Sequence, residues 1–152
     1  MQIRGARDNE AAELSELVIA SKRHRGYVAA QMEAWRADLT ITAEMLTANP
    51  AFVAELEDRV AGFYAMVSAH GEWELVHCWV LPEFMNRGVG RAMLAHARDL
   101  AATAGAAFIA IDSDPNAEPF YLACGATRTG VKAAPIAGQP DRVRPQLVLP
   151  VA

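Results

Sequence analysis

The sequence is poor in the features that mark several function classes. Its 152 residues hold only two cysteines, Cys78 and Cys124. Each sits among apolar neighbours without a metal-type partner at short spacing, so reduced, packed thiols are expected, with a disulfide as the lesser alternative. No His, Cys and carboxylate cluster has metal spacing, so no metal is expected. No stretch reaches the ~18 apolar residues of a membrane span. The opening MQIRGARDNE lacks the apolar run of a secretory signal. Lys and Arg number 14 against 18 Asp and Glu, a formal net charge of -4. That balance argues against general nucleic-acid binding, which depends on a surplus of cations facing phosphates. A cytoplasmic chain without nucleic-acid or membrane partners is the expectation.

With 53% hydrophobic and 21% charged residues, the chain has the balance of a globular protein, read as one domain over residues 1–152. Gln2 to Ala6 reads as a strand, and Asp8 or Asn9 can cap a helix bearing Leu14, Leu17 and Val18, stopped by Gly26. Further helical pieces span roughly 28–39 and begin at Thr42. The period then changes. AFVAEL and RVAGFYAMVSAH form a hairpin about Glu57-Asp58, and EWELVHCWVLP adds a third strand of an antiparallel meander. From Gly88 onward Val89, Met93, His96 and Leu100 keep the spacing of a buried helical stripe, ended by Gly105. AAFIAID reads as a strand, NAEPFYLACG as a short helix, and ATRTGV and PQLVLPV as strands flanking the loop APIAGQPDRVRP. This order predicts an α/β (α+β) fold with a single mixed, mostly antiparallel sheet flanked by helices.

The sharpest local signal is EFMNRGVGRAML, residues 83–94. Gly88 and Gly90 stand where a helix begins. A helix start exposes unpartnered N–H groups at the positive end of its dipole, and glycines let a charged oxygen approach them. Met85 to Arg91 can therefore cradle an anion, most simply a pyrophosphate; the plain alternative is a connecting turn. The Gly-Lys-Ser/Thr ending of a triphosphate loop is missing, and Met93 stands where a dinucleotide fingerprint needs a small residue.

ELVHCWVLPEF, then MNRGVGRAML, then SDPNAEPFYLACGA together resemble the GCN5-related N-acetyltransferases. Their motif, Gln/Arg-x-x-Gly-x-Gly/Ala, is matched by Met85-Asn86-Arg87-Gly88-Val89-Gly90 except at Met85, a departure that weakens one side-chain contact. The resemblance implies acetyl-CoA as cosubstrate and transfer of its acetyl group to a primary amine of a small molecule or protein. A noncatalytic acyl-CoA-binding module is the rival reading. The resemblance further implies that Cys78, Trp79 and Val80 offer main-chain groups to the pantetheine arm and that Asn86, Arg87, Gly88, Val89, Gly90, Arg91 and Ala92, after Met85, cradle the pyrophosphate. Asn116 then lies beside the pantetheine, and Tyr121 points its hydroxyl at the CoA sulfur. A homodimer is among the assemblies the family uses.

Transfer needs a neutral amine, a stabilised oxyanion and a proton for the thiolate. Tyr121 is the candidate acid. Glu74, fourteen residues before Gly88, stands where the resemblance implies a general-base glutamate in some members and is the first candidate base, with Glu72 and His77 as alternatives and a solvated strand face as the bland reading. A backbone N–H near Val80 would hold the oxyanion. The resemblance implies that the region between the first helices covers the acceptor pocket, which makes Tyr27 the candidate acceptor-binding residue, with Trp35 beside it or in the core. His24, within KRHR, reads as solvated surface or as one wall of that pocket. His96, Trp73, Trp79 and Met66 read as packing.

Overall fold

Alternation and burial along the strands explain how the sheet forms. In this computed structural model, which describes residues 1–152, seven strands share one sheet in the order β1-β2-β3-β4-β5-β7-β6. They are β1 (Gln2–Gly5), β2 (Ala51–Leu56), β3 (Arg59–Ala69), β4 (Glu72–Val80), β5 (Phe108–Asp112), β6 (Thr127–Ala133) and β7 (Val143–Pro150). β1–β2, β2–β3, β5–β7 and β6–β7 pair antiparallel, and β4–β5 pair parallel over Trp73–Leu75 against Ile109–Ile111. This is the mixed, mostly antiparallel sheet expected. Glu57 and Asp58 both take left-handed φ, 55° and 59°, the backbone that a two-residue hairpin turn requires.

The helices are α1 (Ala11–Arg23), α2 (Ala29–Ala34), α3 (Arg36–Leu39), α4 (Ala43–Ala48), α5 (Val89–Thr103) and α6 (Glu118–Ala123). None is long and apolar enough to cross a membrane. The chain divides into two compact units, one of Met1–Val67 with His77–Met93, the other of Ser68–Val76 with Leu94–Ala152.

In the first unit, Leu14, Leu17 and Val18 of α1 join Val53 of β2 and Phe63 and Ala65 of β3 in one core, which Met32, Leu39, Ile41 and Leu46 complete. Each of these side chains except Ala65 contributes roughly 1.5–3 kcal/mol when buried. The entry to α1 differs from the expected Asp8 or Asn9 cap. A 3-10 turn, Asp8–Glu10, precedes it, and the Glu10 carboxylate accepts the Arg7 N–H at 2.7 Å and the Arg4 guanidinium at 2.8 Å. The longer side chain reaches back and also holds a cation, which Asp8 and Asn9 are too short to do. The helix expected over 28–39 is broken at Trp35 (φ -90°, ψ -2°), whose ring packs edge-on against Tyr27 at 4.7 Å.

In the second unit, Ile109 and Ile111 of β5 are buried, as are Leu147 and Leu149 of β7, their register partners. Strand β7 begins at Val143, two residues earlier than the sequence indicated. There Val143 pairs with Ala133, and Arg142 donates to the Ala134 carbonyl at 3.0 Å, closing the hairpin. Along α5 the buried positions are Val89, Met93, Leu94, Ala97 and Ala101. His96 and Leu100 only flank that stripe, because the buried face is centred on Met93, Ala97 and Ala101 and both lie to one side of it.

Candidate functional site

The glycine step belongs to the first unit, and its backbone is unusual. Asn86 and Gly88 take left-handed φ of 63° and 83°. Asn tolerates that region better than most residues, and Gly freely. A Cβ placed on Gly88 would meet nothing within 4 Å, so its outward face is open to a ligand. The Ala92 N–H bonds the Gly88 carbonyl at 3.0 Å and closes the first turn of α5. The N–H groups of Val89, Gly90 and Arg91 therefore precede the helical ladder, at the positive end of a fifteen-residue helix.

Neighbouring residues hold this start in place. Val89 is buried, and Gly62 of β3 admits it: a Cβ on Gly62 would lie 2.8 Å from Val89 Cγ1 and 3.0 Å from the end of Met93. Phe84 is buried just before the step, with the Arg59 and Arg87 guanidiniums 5.0 and 5.4 Å from its ring. Arg87 donates to Glu57 at 2.6 Å and Arg59 to Glu83 at 3.2 Å. The hydrogen bond from Arg87 holds the Glu57 carboxyl below the usual carboxylate range. Met85 is half-buried, whereas Asn86, Arg87 and Arg91 are exposed.

Strand β4 carries the next group. Leu75 and His77 are buried, while Glu72, Glu74 and Val76 alternate with them on the exposed side. Cys78, Trp79 and Val80 are half-buried, and the Leu81 N–H ties the end of the strand to the Ala61 carbonyl at 2.8 Å. The Trp79 indole N–H donates to His77 Nδ1 at 3.0 Å. Burial pushes the His77 imidazole down to about 4. This setting speaks against His77 as the base: its Nδ1 accepts from an indole, and charging the buried ring is unfavourable. Glu74 and Glu72 remain, both exposed, with Glu74 opposite Ala110 in the parallel register.

Trp79 also touches a residue that sequence reasoning left within the solvated KRHR cluster. Arg23, His24 and Arg25 are exposed, but Lys22 is buried, its ammonium 4.5 Å from the Trp35 ring centroid, 4.9 Å from Tyr27 and 5.9 Å from Trp79. Tyr27, the expected acceptor contact, thus stands in an aromatic group around an internal cation. Spacing could have found Lys22, since it follows Leu14 and Val18 at four-residue steps. Gly62 carried a signal too, as a lone glycine inside a strand pattern.

The remaining candidates lie in the second unit. Asp114 accepts from the Asn116 backbone N–H at 2.7 Å and from its side-chain amide at 2.9 Å, an Asx turn leading into α6. Tyr121 is 7% exposed on that helix, its ring 5.3 Å from Phe120. The Ala126 N–H bonds the Tyr121 carbonyl at 3.0 Å, so the turn at Gly125 (φ 100°) fixes the segment. Neither Cys78 nor Cys124 is in a disulfide.

These features find a counterpart among known proteins. No curated protein matches the chain in sequence. Solved structures match its fold. A GCN5-related N-acetyltransferase from Rhodopseudomonas palustris superposes with a TM-score of 0.80 at 21% identity, covering 98% of this chain and 94% of that one. PaiA N-acetyltransferase from Thermoplasma acidophilum, in complex with coenzyme A, gives 0.75 at 15% identity, with 98% of each chain covered. The ribosomal-protein-S18-alanine N-acetyltransferase from Escherichia coli gives 0.74 at 16%, over 99% and 94%. The model of the acetyltransferase (GNAT) family matches residues 11–126, most of the chain, through both the glycine step and the Tyr121 helix. The chain therefore belongs to the GNAT family and is an acetyl-CoA-dependent N-acetyltransferase.

Proposed function

We propose that the chain, acting as one acetyltransferase domain, transfers acetyl directly to a primary amine of a small molecule or protein through the residues named above. The observation that carries this reading is the open start of α5, where left-handed Asn86 and Gly88 leave the N–H groups of Val89, Gly90 and Arg91 without helical partners. That start fits a pyrophosphate, since a side chain at Gly88 would fill the face the anion needs.

Acetyl-CoA supplies an activated acetyl thioester. Met85 to Ala92 bind its diphosphate, and the main chain of Cys78, Trp79 and Val80, with Asn116, orients the pantetheine arm. A backbone N–H near Val80 stabilises the oxyanion. Glu74, on the exposed side of β4, takes the amine proton through water rather than by contact. The amine nitrogen bonds the acetyl carbon, the C–S bond breaks, and the Tyr121 hydroxyl gives its proton to the departing thiolate. Tyr27 forms part of the acceptor wall. Two cysteines outside any disulfide support a cytoplasmic setting. The edge strand β6, exposed along its length, supports a homodimer, which light scattering tests.

The deciding experiment is thiol release from acetyl-CoA against a panel of amines, with Tyr121→Phe and Glu74→Gln beside the wild type. Amine-dependent release that drops about 10²-fold or more in Tyr121→Phe is the expected outcome. Acetyl-CoA binding without turnover on any amine would favour the noncatalytic module. An unchanged rate in Tyr121→Phe would remove that residue as the acid.

A further inference from the structure

His77 has no part in the transfer chemistry above, yet it is built with care. It is 9% exposed. An indole nitrogen can only donate, so the 3.0 Å bond from Trp79 Nε1 obliges Nδ1 to carry the lone pair. The neutral ring must then hold its proton on Nε2. That second nitrogen makes no hydrogen bond within the protein, and it is not sealed from solvent. A fixed donor in an otherwise buried ring is costly to leave unpaired and strong when a partner arrives. Its surroundings are aromatic, with the Phe63 ring 5.8 Å away and the Trp79 ring 6.4 Å away. On Trp79 lies the Lys22 ammonium, 5.9 Å from the ring, which polarises the indole and strengthens its N–H as a donor. Apolar and aromatic walls around one oriented polar group are the usual make-up of a small-ligand site.

We infer that His77 determines acceptor specificity, its Nε2–H hydrogen-bonding an oxygen of the acceptor on the face of β4 opposite Glu74, so that the amine proton reaches that carboxylate only through water. The inference rests on the acetyltransferase reading and on β4, where His77 directly precedes Cys78–Val80. The partner must be an oxygen because the amine cannot serve. Protonated, an amine has only donors; neutral, its lone pair is required for attack. Acceptors are therefore amines that also carry a hydroxyl, carbonyl or carboxylate. Polyamines, whose protonated nitrogens are donors only, are disfavoured. Trp79 is the positioning residue that fixes the tautomer.

Two measurements test this. Long-range 1H–15N NMR of the imidazole in the intact wild-type protein is expected to show the Nε2–H tautomer alone; an Nδ1–H or mixed tautomer would overturn the assignment. Steady-state kinetics then compare amines matched in length, an amino alcohol against the alkylamine with carbon in place of oxygen. The wild type is expected to prefer the oxygen-bearing member by about 10-fold or more in kcat/KM. His77→Leu should erase the preference chiefly through KM, and His77→Gln, which keeps an N–H donor, should restore part of it. A wild type with no preference, or a preference that survives His77→Leu, overturns the proposal. Calorimetry with acetyl-CoA on the same preparations separates the two readings. Failure of the wild type to bind it would sink the acetyltransferase site and the acceptor assignment together. Retained binding with the preference lost in His77→Leu is the supporting result. Should the variants not fold, the wild-type tautomer and preference decide alone.

Discussion

Val89 and Gly62 meet because Gly62 has no side chain: a Cβ there would lie 2.8 Å from Val89 Cγ1. The start of α5 is thus seated on β3 by an absence. Met93 ends in a flexible thioether that can yield, but Val89 is stiff about χ1. Gly62→Ala is expected to destabilise the protein by about 1–3 kcal/mol, the usual cost of overpacking. It should also weaken acetyl-CoA binding, because relief of the clash moves the N–H groups proposed to bind the diphosphate. Urea unfolding and calorimetry check the two effects. Stability lost without any change in affinity would mean that the seat of Val89 does not set the cradle.

Gly88→Ala should show the opposite balance. Nothing lies within 4 Å of the added methyl, so the folded state meets only the cost of φ 83° in a residue with a Cβ, roughly 1–2 kcal/mol. The methyl occupies the face from which the anion approaches. Affinity for acetyl-CoA is expected to fall at least about tenfold, a loss comparable to that of one good charge-assisted hydrogen bond. Equal affinity in both proteins would leave Gly88 as a turn residue only.

Arg87 is engaged by Glu57 at 2.6 Å, so a ligand phosphate would have to compete for it. Glu57→Gln should free the guanidinium and tighten acetyl-CoA binding modestly, by about two- to fivefold at low salt, with the gain shrinking as ionic strength rises. Arg87→Ala should weaken binding. Titrations at two salt concentrations test both signs. Weaker binding in Glu57→Gln would mean that the carboxylate orders Arg87 for the ligand rather than withholding it.

Much of this was legible in the sequence because each element has its own period or punctuation. The Glu57-Asp58 hairpin, the strand ending at Val80 and the glycine step all lie where alternation and turn chemistry put them. The open helix start was legible because Gly88 and Gly90 stand just where the helical period begins. What escaped depends on contacts between residues distant in sequence. Trp35 breaks a helix that local propensity would continue, since its ring packs on Tyr27 and under Lys22. Lys22 itself reads as one charge in a basic run until three aromatic rings gather around it. The His77–Trp79 bond is intermediate: a two-residue step places both side chains on one face of β4, but no pattern states that the indole meets Nδ1.

That bond makes His77 a probe of stability as well as of specificity. Burial lowers the imidazole from an ordinary value near 6.5 to about 4. The unfolded chain therefore binds a proton in a range where the folded chain does not. Stability contributed by the neutral ring is full above pH 6.5 and is lost as pH falls toward 4. Over that window the loss is on the order of 2–3 kcal/mol. His77→Gln cannot titrate, so urea unfolding at pH 7 and pH 4.5 should show a smaller loss in the variant than in the wild type by that amount. Carboxylates elsewhere titrate alike in both proteins and cancel in the comparison. Equal losses would mean that the imidazole is not held neutral, and with that the fixed Nε2–H donor would lose its basis.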